Sequence, residues 1–508
     1  MWDVPQLFQN TVKSAPERTA IVDPIAEQRF SYAEVDEKVD RIAAGLQSFG
    51  IEKGDRVGVA HRNSPENVFV LLAIQRVGAV AVPFNFDINN DKLRYFVSDA
   101  DMSMLVFGDV IADQVMDLRE ELECNTFVTT ADVSAPDVTD YEALLRESDA
   151  PDPVSIGPDD TSIIQYSSGT TGDPKGIEIT HRGGINRVFL NIHSQRVFDR
   201  ETVLGRIHLY HTLGFHGLLL SAFVTGGTFI PFPEFDPDLY RRVIAEEDVT
   251  VLHEAPVIYQ RLLDPKDEFE QPDADEDRET FESVETVSFS AAPMSGELFG
   301  DIKRIIDPDQ LYNIYGMTEI FSSYTKVNLR EKNNPAIFAY AETAEDMRIV
   351  EIDERDPSAE VGVGEEGELI VRHDTPGAFE GYLRDYETAG DSFEGDWYFT
   401  GDACLETEDG YYRLTGRLSN RIKFIGENIY PKNIEAVLRS HPAVEATTVV
   451  GIEDDEWGEV PKAYVVADGD VTAEQLQDHC VESEAIEDYK KPREFEFVDT
   501  LPNSGSKI

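Results

Sequence analysis

The run Glu66-Asn-Val-Phe-Val-Leu-Leu-Ala-Ile-Gln-Arg-Val77 is apolar almost all round, stops at Gly78 and gives way at once to Ala79-Val-Ala-Val-Pro83. A helix with so little polar surface has to be buried, and a short β-branched run is a strand covered on both faces. Helix, glycine stop and buried strand in succession predict a layered α/β fold with a parallel sheet. Asp91 to Asp99 followed by Met104-Leu-Val-Phe107 repeats the pattern. At 508 residues the chain exceeds what one core supports, so two or more domains are expected, and 41% hydrophobic residues suffice to fill them.

Ninety-nine acidic residues against 44 basic ones give a formal net charge of −55. Self-repulsion on that scale opposes compaction in dilute salt, whereas at about 1 M salt the screening length falls to roughly 3 Å. The composition resembles that of proteins from salt-in halophiles, so a cytoplasmic location in high salt is expected. The apolar content argues against disorder, and repulsion of phosphates argues against a nucleic-acid partner. Cys124, Cys404 and Cys480 show no Cys-x-x-Cys spacing, so neither a disulfide framework nor a thiolate metal site is suggested, and they read as buried thiols in a reducing compartment. Met1-Trp-Asp-Val-Pro5 lacks the basic and apolar regions of a secretory signal. The longest uncharged run, Gly217 to Phe232, is too short for a membrane span and is broken by Gly226, Gly227 and Pro231. A soluble protein is expected.

The chemistry concentrates in Tyr166-Ser-Ser-Gly-Thr-Thr-Gly-Asp-Pro-Lys-Gly176, after the β-branched lead-in Thr161-Ser-Ile-Ile-Gln165. A strand running into such a loop leaves backbone N–H groups and hydroxyls free to bind anionic oxygens, phosphate above all. Gly169, Gly172 and Gly176 permit close approach, Ser167, Ser168, Thr170 and Thr171 donate hydroxyls, and Lys175 adds a charge. The spacing does not fit a Walker A loop. Gly362-Val-Gly-Glu-Glu-Gly367 fits Gly-x-Gly-x-x-Gly, yet it precedes a strand and carries two acids where a pyrophosphate would sit, so it predicts no dinucleotide site. His208-Leu-Tyr-His-Thr-Leu-Gly-Phe-His-Gly217 has three histidines but no carboxylate or second histidine cluster at ligand spacing, and His216 reads as part of a packed aromatic turn. Residues 264 to 280, rich in acid, read as a solvated surface loop.

The string Tyr166 to Gly176 resembles the phosphate loop of the adenylate-forming superfamily, which includes acyl- and aryl-CoA ligases, luciferases and peptide-synthetase adenylation domains. The family's other motifs follow in order over essentially the whole chain: Ser290-Ala-Ala-Pro293, Tyr315-Gly-Met-Thr-Glu319, Tyr398-Phe-Thr-Gly-Asp402 and Leu414-Thr-Gly-Arg417. The resemblance implies a large N-terminal domain of layered α/β subdomains plus a β-rich subdomain (1–418) and a small mobile α+β C-terminal domain (419–508). It implies that Ser167, Ser168, Gly169, Thr170, Thr171, Gly172, Lys175, Ala292, Tyr315, Asp402 and Arg417 bind ATP. Ala292 would lie beside the adenine, Tyr315 would stack on it, and Asp402 with Arg417 would hold the ribose. Thr318 would donate to the α-phosphate, Glu319 would hold Mg2+, and His211 would sit where acyl substrate and adenylate meet.

In the C-terminal domain the resemblance implies a hinge at Ser419, where the family usually has Asp or Lys. Arg421 to Pro431 matches a loop, with Gly426, that approaches the thiol channel. Asp455-Glu-Trp-Gly458 and Tyr489-Lys-Lys-Pro-Arg493 bring Trp457, Tyr489, Lys490, Lys491 and Arg493 forward as a seat for coenzyme A, with a plain solvated patch as the other reading. Lys507 matches the lysine that enters the site during adenylation, with Ser506 in place of the usual glycine. The expected reaction is therefore AMP-forming ligation of a small-molecule carboxylic acid to coenzyme A, most like the aryl (4-halobenzoate) branch. Loading of a carrier-protein thiol is the alternative, and a catalytically silent nucleotide-binding regulator is a third. Neither the acid nor the oligomeric state is legible.

Overall fold

The computed structural model describes residues 2–501 apart from 147–149, 168–173, 196–199, 264–278, 322–325, 345, 385–391, 425–426, 455–456, 468, 470, 484–485 and 487–489. Among the described residues two large sheets sandwich a layer of helices. One sheet runs in the order Gly381–Tyr382, Gly176–Thr180, Thr161–Tyr166, Val80–Pro83, Arg56–Ala60, Met102–Phe107, Thr126–Thr129, Val138–Asp140. It is parallel except where Gly176–Thr180 meets its two neighbours. The other runs Gln310–Asn313, Thr286–Phe289, Val251–Glu254, Thr202–Gly205, Thr228–Pro231, Thr19–Asp23, Gln28–Ser31, parallel up to its last pair.

The helices Val4–Ser14, Tyr32–Ser48, Pro65–Arg76 and His181–Gln195 lie between them. One core joins Ile21, Val203 and Phe229 of one sheet to Val59, Ala81 and Ile163 of the other through Leu7, Val35, Leu71, Ile74 and Val188. The expected layered α/β fold is thus observed. Pro65–Arg76 forms where its sequence demands: the Ser64 hydroxyl accepts from the Asn67 N–H at 3.2 Å, Pro65 occupies the first turn, and Gly78 at φ +71° ends the helix in the left-handed region.

An antiparallel sheet follows, in the order Ile337–Tyr340, Tyr411–Arg417, Trp397–Glu406, Glu366–Arg372, Met347–Val350. The run Gly362 to Gly367 leads into the strand Glu366–Arg372, as expected of a segment that precedes a strand. The smaller C-terminal domain has its own sheet, in which Glu427–Ile429, Ile422–Phe424, Gly458–Ala467 and Val444–Asp454 are joined by Glu494–Phe497. With the helices Pro431–Arg439 and Ala473–Glu482 it closes a separate core of Ile434, Leu438, Val449, Val465 and Leu476. It rests on the antiparallel sheet through Glu366, which accepts from Tyr430 Oη at 2.7 Å and Asn428 Nδ2 at 3.0 Å, and through Arg421 on Asp353. The three cysteines are buried and unbridged. Among the described residues no helix is long and apolar enough to cross a membrane, and no group of three or more His, Cys, Asp or Glu could hold a metal. The acidic stretch 264–280 lies, but for its last two residues, outside the described residues.

Among the described residues the Lys326 ammonium is buried without a hydrogen-bond partner, and burial lowers its pKa to about 7. The folded state then binds this proton less tightly than the unfolded chain, so stability rises with pH between about 7 and the ordinary 10.5. Lys326→Met keeps the shape and removes the amine. It is expected to add about 1–3 kcal/mol near pH 7 and to flatten that rise, as read by urea denaturation at pH 7 and pH 10.

Candidate active site

Strands Thr161–Tyr166 and Gly176–Thr180 form a hairpin whose tip, with Ser168, Gly169, Thr170, Thr171 and Gly172, lies outside the described residues. Its base is well fastened. The Ser167 N–H donates to Lys175 O at 3.0 Å, and the Ser167 hydroxyl accepts from the Lys175 N–H at 3.2 Å. Tyr166 Oη donates to Asp99 at 2.7 Å, and Tyr95 Oη to Pro174 O at 2.7 Å. The Lys175 ammonium lies 5.1 Å from the centroid of the Tyr382 ring, and Tyr382 Oη donates to Glu319 at 3.3 Å. Tyr382 reaches this position because its short strand adds to the hairpin edge, Tyr382 opposite Ile177.

Tyr315 to Glu319 follow the strand Gln310–Asn313, and Ala292 follows its neighbour Thr286–Phe289, so both segments emerge at the same carboxyl edge of the parallel sheet. Crevices there are the common ligand sites of open α/β sheets. Ala291 sits at φ +72°, a left-handed conformation costly for a residue with a side chain. Tyr315 packs on Phe338 with ring centroids 4.6 Å apart and donates its hydroxyl to Asp402 Oδ2 at 2.8 Å. Asp402 Oδ1 accepts from Arg417 Nη1 at 2.8 Å, while the same nitrogen reaches Thr400 O at 2.9 Å. Gly401, within the strand Trp397–Glu406, takes a left-handed φ of +71° that favours glycine. Each Asp402 oxygen retains a second lone pair for a ligand hydroxyl.

Glu319 is the contrasting carboxylate. It is buried without an ion-pair partner among the described residues, and burial raises its pKa against the pull of Tyr382, Arg417 and Lys175. Such a group suits a hard cation whose other ligands come from phosphate.

Gln165 Nε2 donates to Tyr210 O at 3.2 Å, tying the phosphate-loop strand to the histidine-rich turn. There His208 stacks on Tyr210 at 5.0 Å, Tyr210 meets His211 at 4.4 Å, and Phe86 packs edge-on to His208 and Tyr210. Burial lowers the His208 pKa to about 3, whereas His211 is exposed at the end of the stack. Leu213–Leu220 then winds as a π-helix, a widened turn often found at functional sites, with His216 packed inside as expected. Its Gly217 faces Leu213 and Phe321, and Gly377 faces Leu190 and Phe321, so closely that a methyl group at either glycine would collide with the leucine.

Among the residues assigned to the C-terminal domain, Trp457 stacks on Phe424 at 5.5 Å and the Arg493 guanidinium lies over both rings. Lys490 is half-buried, but Lys491 is buried beside Cys480, so the exposed base cluster is smaller than the sequence suggests. Ser419 is exposed in the short turn Leu418–Asn420. Gly426, Tyr489 and Lys507 lie outside the described residues.

A family model described as AMP-binding enzyme matches residues 8–383, and that of the AMP-binding enzyme C-terminal domain matches 433–507. The chain belongs to the AMP-binding enzyme family. The enzyme is 29% identical over 501 residues to a 4-chlorobenzoate–CoA ligase of Arthrobacter sp, covering 97% of this chain and 91% of that one. It is 30% identical over 494 residues to a feruloyl-CoA synthase of Amycolatopsis sp, covering 94% and 91%. The crystal structure of ATP-bound MatB from Rhodopseudomonas palustris superposes with a TM-score of 0.82 at 25% identity, over 99% of this chain and 97% of that one.

Two residues that contact these candidate site residues are not legible as such in the sequence. Tyr382 has no local signal, because a two-residue strand far along the chain delivers it. Arg187, fully buried on His181–Gln195, was visible only as a charge within a helix leading out of the phosphate hairpin.

The burial of Glu319 bears on stability. Because its folded-state pKa is raised, burying its charge costs stability at high pH, and the cost disappears as pH falls toward the ordinary 4.5. Glu319→Gln is therefore expected to stabilise the ligand-free enzyme by about 1–2 kcal/mol at pH 8, with the gain shrinking at pH 5, while activity falls. Urea denaturation at the two pH values reads the gain.

Proposed function

We propose that the enzyme activates an aromatic carboxylic acid, with the adenylate formed where Lys175, Tyr315, Thr318, Glu319, Asp402 and Arg417 meet. The protein is an AMP-forming acid–CoA ligase. The observation that carries the site is the convergence, from three different sheets, of the phosphate hairpin, Glu319 under Tyr382, and Asp402 held between Tyr315 and Arg417.

An oxygen of the substrate carboxylate attacks the α-phosphorus of ATP, and the bond to pyrophosphate breaks. The acceleration comes from positioning and charge stabilisation. Ser167 to Gly172 and Lys175 hold the departing phosphates, Thr318 donates to the α-phosphate, Lys507 neutralises the transferring group, and Asp402 with Arg417 fixes the ribose. Tyr315 and Ala292 flank the adenine. A Mg2+ held by Glu319 and phosphate oxygens would supply further charge neutralisation. His211 lies at the junction of acid and phosphate. The domain 419–508 then turns about Ser419, withdraws Lys507 and brings the Gly426 loop forward, so that the coenzyme A thiol displaces AMP. Trp457, Arg493 and Lys490, with Tyr489 and Lys491 nearby in sequence, form the coenzyme A seat.

An aromatic acid is favoured by the two relatives' substrates, and Phe321, packed against Gly217 and Gly377, is the side chain that would cap a short pocket. A carrier-protein thiol is the second reading, favoured by the small exposed share of the basic cluster. The net charge of −55 favours a high-salt cytoplasm.

Coenzyme A-dependent AMP release across benzoates and straight-chain acids, in rising KCl, tests the reading. Benzoates are expected to turn over fastest and rates to climb toward molar KCl. A peak at fatty acids would keep the reaction and discard the aromatic pocket, and AMP release requiring a carrier protein would favour the second reading.

Lys507→Ala is expected to slow adenylation about 100-fold while leaving thioester formation from supplied acyl-adenylate nearly unchanged. Ser419→Pro, which stiffens the pivot, should do the reverse. Equal losses in both half-reactions would refute the assignments.

A further inference from the structure

Arg187 is fully buried on the helix His181–Gln195 that leaves the phosphate hairpin. No carboxylate lies within ion-pair distance among the described residues. Instead its two terminal nitrogens reach in two directions. Nη1 donates to Thr212 Oγ1 at 2.9 Å, and Nη2 donates to the Thr318 carbonyl at 3.0 Å. The guanidinium plane lies 5.9 Å from the centroid of Phe321, and its Nε has no partner.

These contacts join segments that nothing else in sequence relates. Thr212 follows His211 directly and opens the π-helix, and its hydroxyl is shared with His216 Nδ1 at 3.1 Å. Thr318 precedes Glu319, whose own carbonyl accepts from the Phe379 N–H at 2.9 Å, while the Phe321 N–H donates to Gly377 O at 3.1 Å. The Thr318 to Phe321 segment is therefore held on one side by backbone bonds and on the other by Arg187. A buried cation left without a carboxylate is costly, and a fork with two separated donors is a geometry that lysine cannot reproduce.

We propose that Arg187 is the positioning residue that fixes the spacing between the His211–Thr212 turn and the Thr318–Glu319 segment, and so aligns acid and α-phosphate for adenylation. The inference rests on the acid–CoA ligase reading for its catalytic consequence, though not for its structural one. Displacing reacting groups by about 1 Å costs on the order of 100-fold in rate, so small slack at this bridge is enough to matter.

The test compares Arg187→Met and Arg187→Lys with the wild type in acid-dependent ATP–pyrophosphate exchange, thermal unfolding, and amide hydrogen exchange over 208–217 and 312–321. Arg187→Met is expected to lose about 100-fold in kcat with the KM for ATP little changed, and Arg187→Lys to recover part of that loss, since it bridges one acceptor and not two. Both segments should exchange faster in either variant while Val80–Pro83 keeps its protection. If Arg187→Met does not fold, the lysine variant carries the same comparison. Wild-type kcat per folded molecule, or unchanged exchange in both segments, would overturn the proposal. A wild-type enzyme without acid-dependent exchange would instead sink the ligase reading, and the amide exchange would still decide the role of Arg187.

Discussion

A helix layer closed by a sheet on each side has no face left for water. Every polar group placed in that layer must find its partner inside the protein, because an unpaired one costs more than the hydrogen bond it would have made. Asn63 answers this with three carbonyls, those of Gly205, Arg206 and Ile207, and Asn191 with the Gly217 carbonyl and the Ser221 hydroxyl. Both stitch the central helices to the turn that carries the histidines. At these two positions the polar residue that the middle layer buries also braces a loop at the sheet edge.

The two carboxylates of the site show how that constraint divides labour. Asp402 is as buried as Glu319, yet Arg417 and Tyr315 each give it a short hydrogen bond, so its charge is already accommodated before any ligand arrives. Glu319 has one long bond from Tyr382 and a raised pKa. A paired carboxylate is a rigid acceptor for a neutral hydroxyl, and an under-paired one is a waiting ligand for a cation. The difference follows from what lies within 3 Å of each oxygen, and it gives two Asp/Glu side chains in one cleft different chemistry.

Local rules account for what the sequence disclosed. The helix Pro65–Arg76, the strand Val80–Pro83 and the helix Asn90–Asp99 follow from cap residues, glycine stops and apolar runs, each complete within a dozen residues. The motif segments were legible for the same reason, as short strings with a fixed chemistry. What stayed hidden depends on pairing across the chain. Tyr382 enters through Gly381–Tyr382 lying against Glu178 and Ile177, about two hundred residues earlier in the chain. The Arg187 contacts span 25 and 131 residues, and Lys491 turns inward on a long apolar stem, which its place in a basic cluster gave no reason to expect.

The charge of the chain bears on how the site meets its substrates. Many of its arginines are already occupied by carboxylates: Arg29 by Glu247, Arg94 by Glu121, Arg182 by Asp159, Arg330 by Asp307 and Asp309. Arg493 differs, since it lies over Phe424 and Trp457 and forms no ion pair among the described residues. ATP and coenzyme A are polyanions, and a surface of net charge −55 repels them at long range. Salt at about 1 M confines that field to roughly 3 Å, which removes the repulsion and any long-range attraction together. Recognition then has to come from contact: donors fixed by packing, such as Arg417 on Asp402, and cations braced against aromatic faces, such as Lys175 on Tyr382 and Arg493 on Trp457. Arg493, held by rings and by no carboxylate among the described residues, stays open to a phosphate where the arginines paired with carboxylates do not.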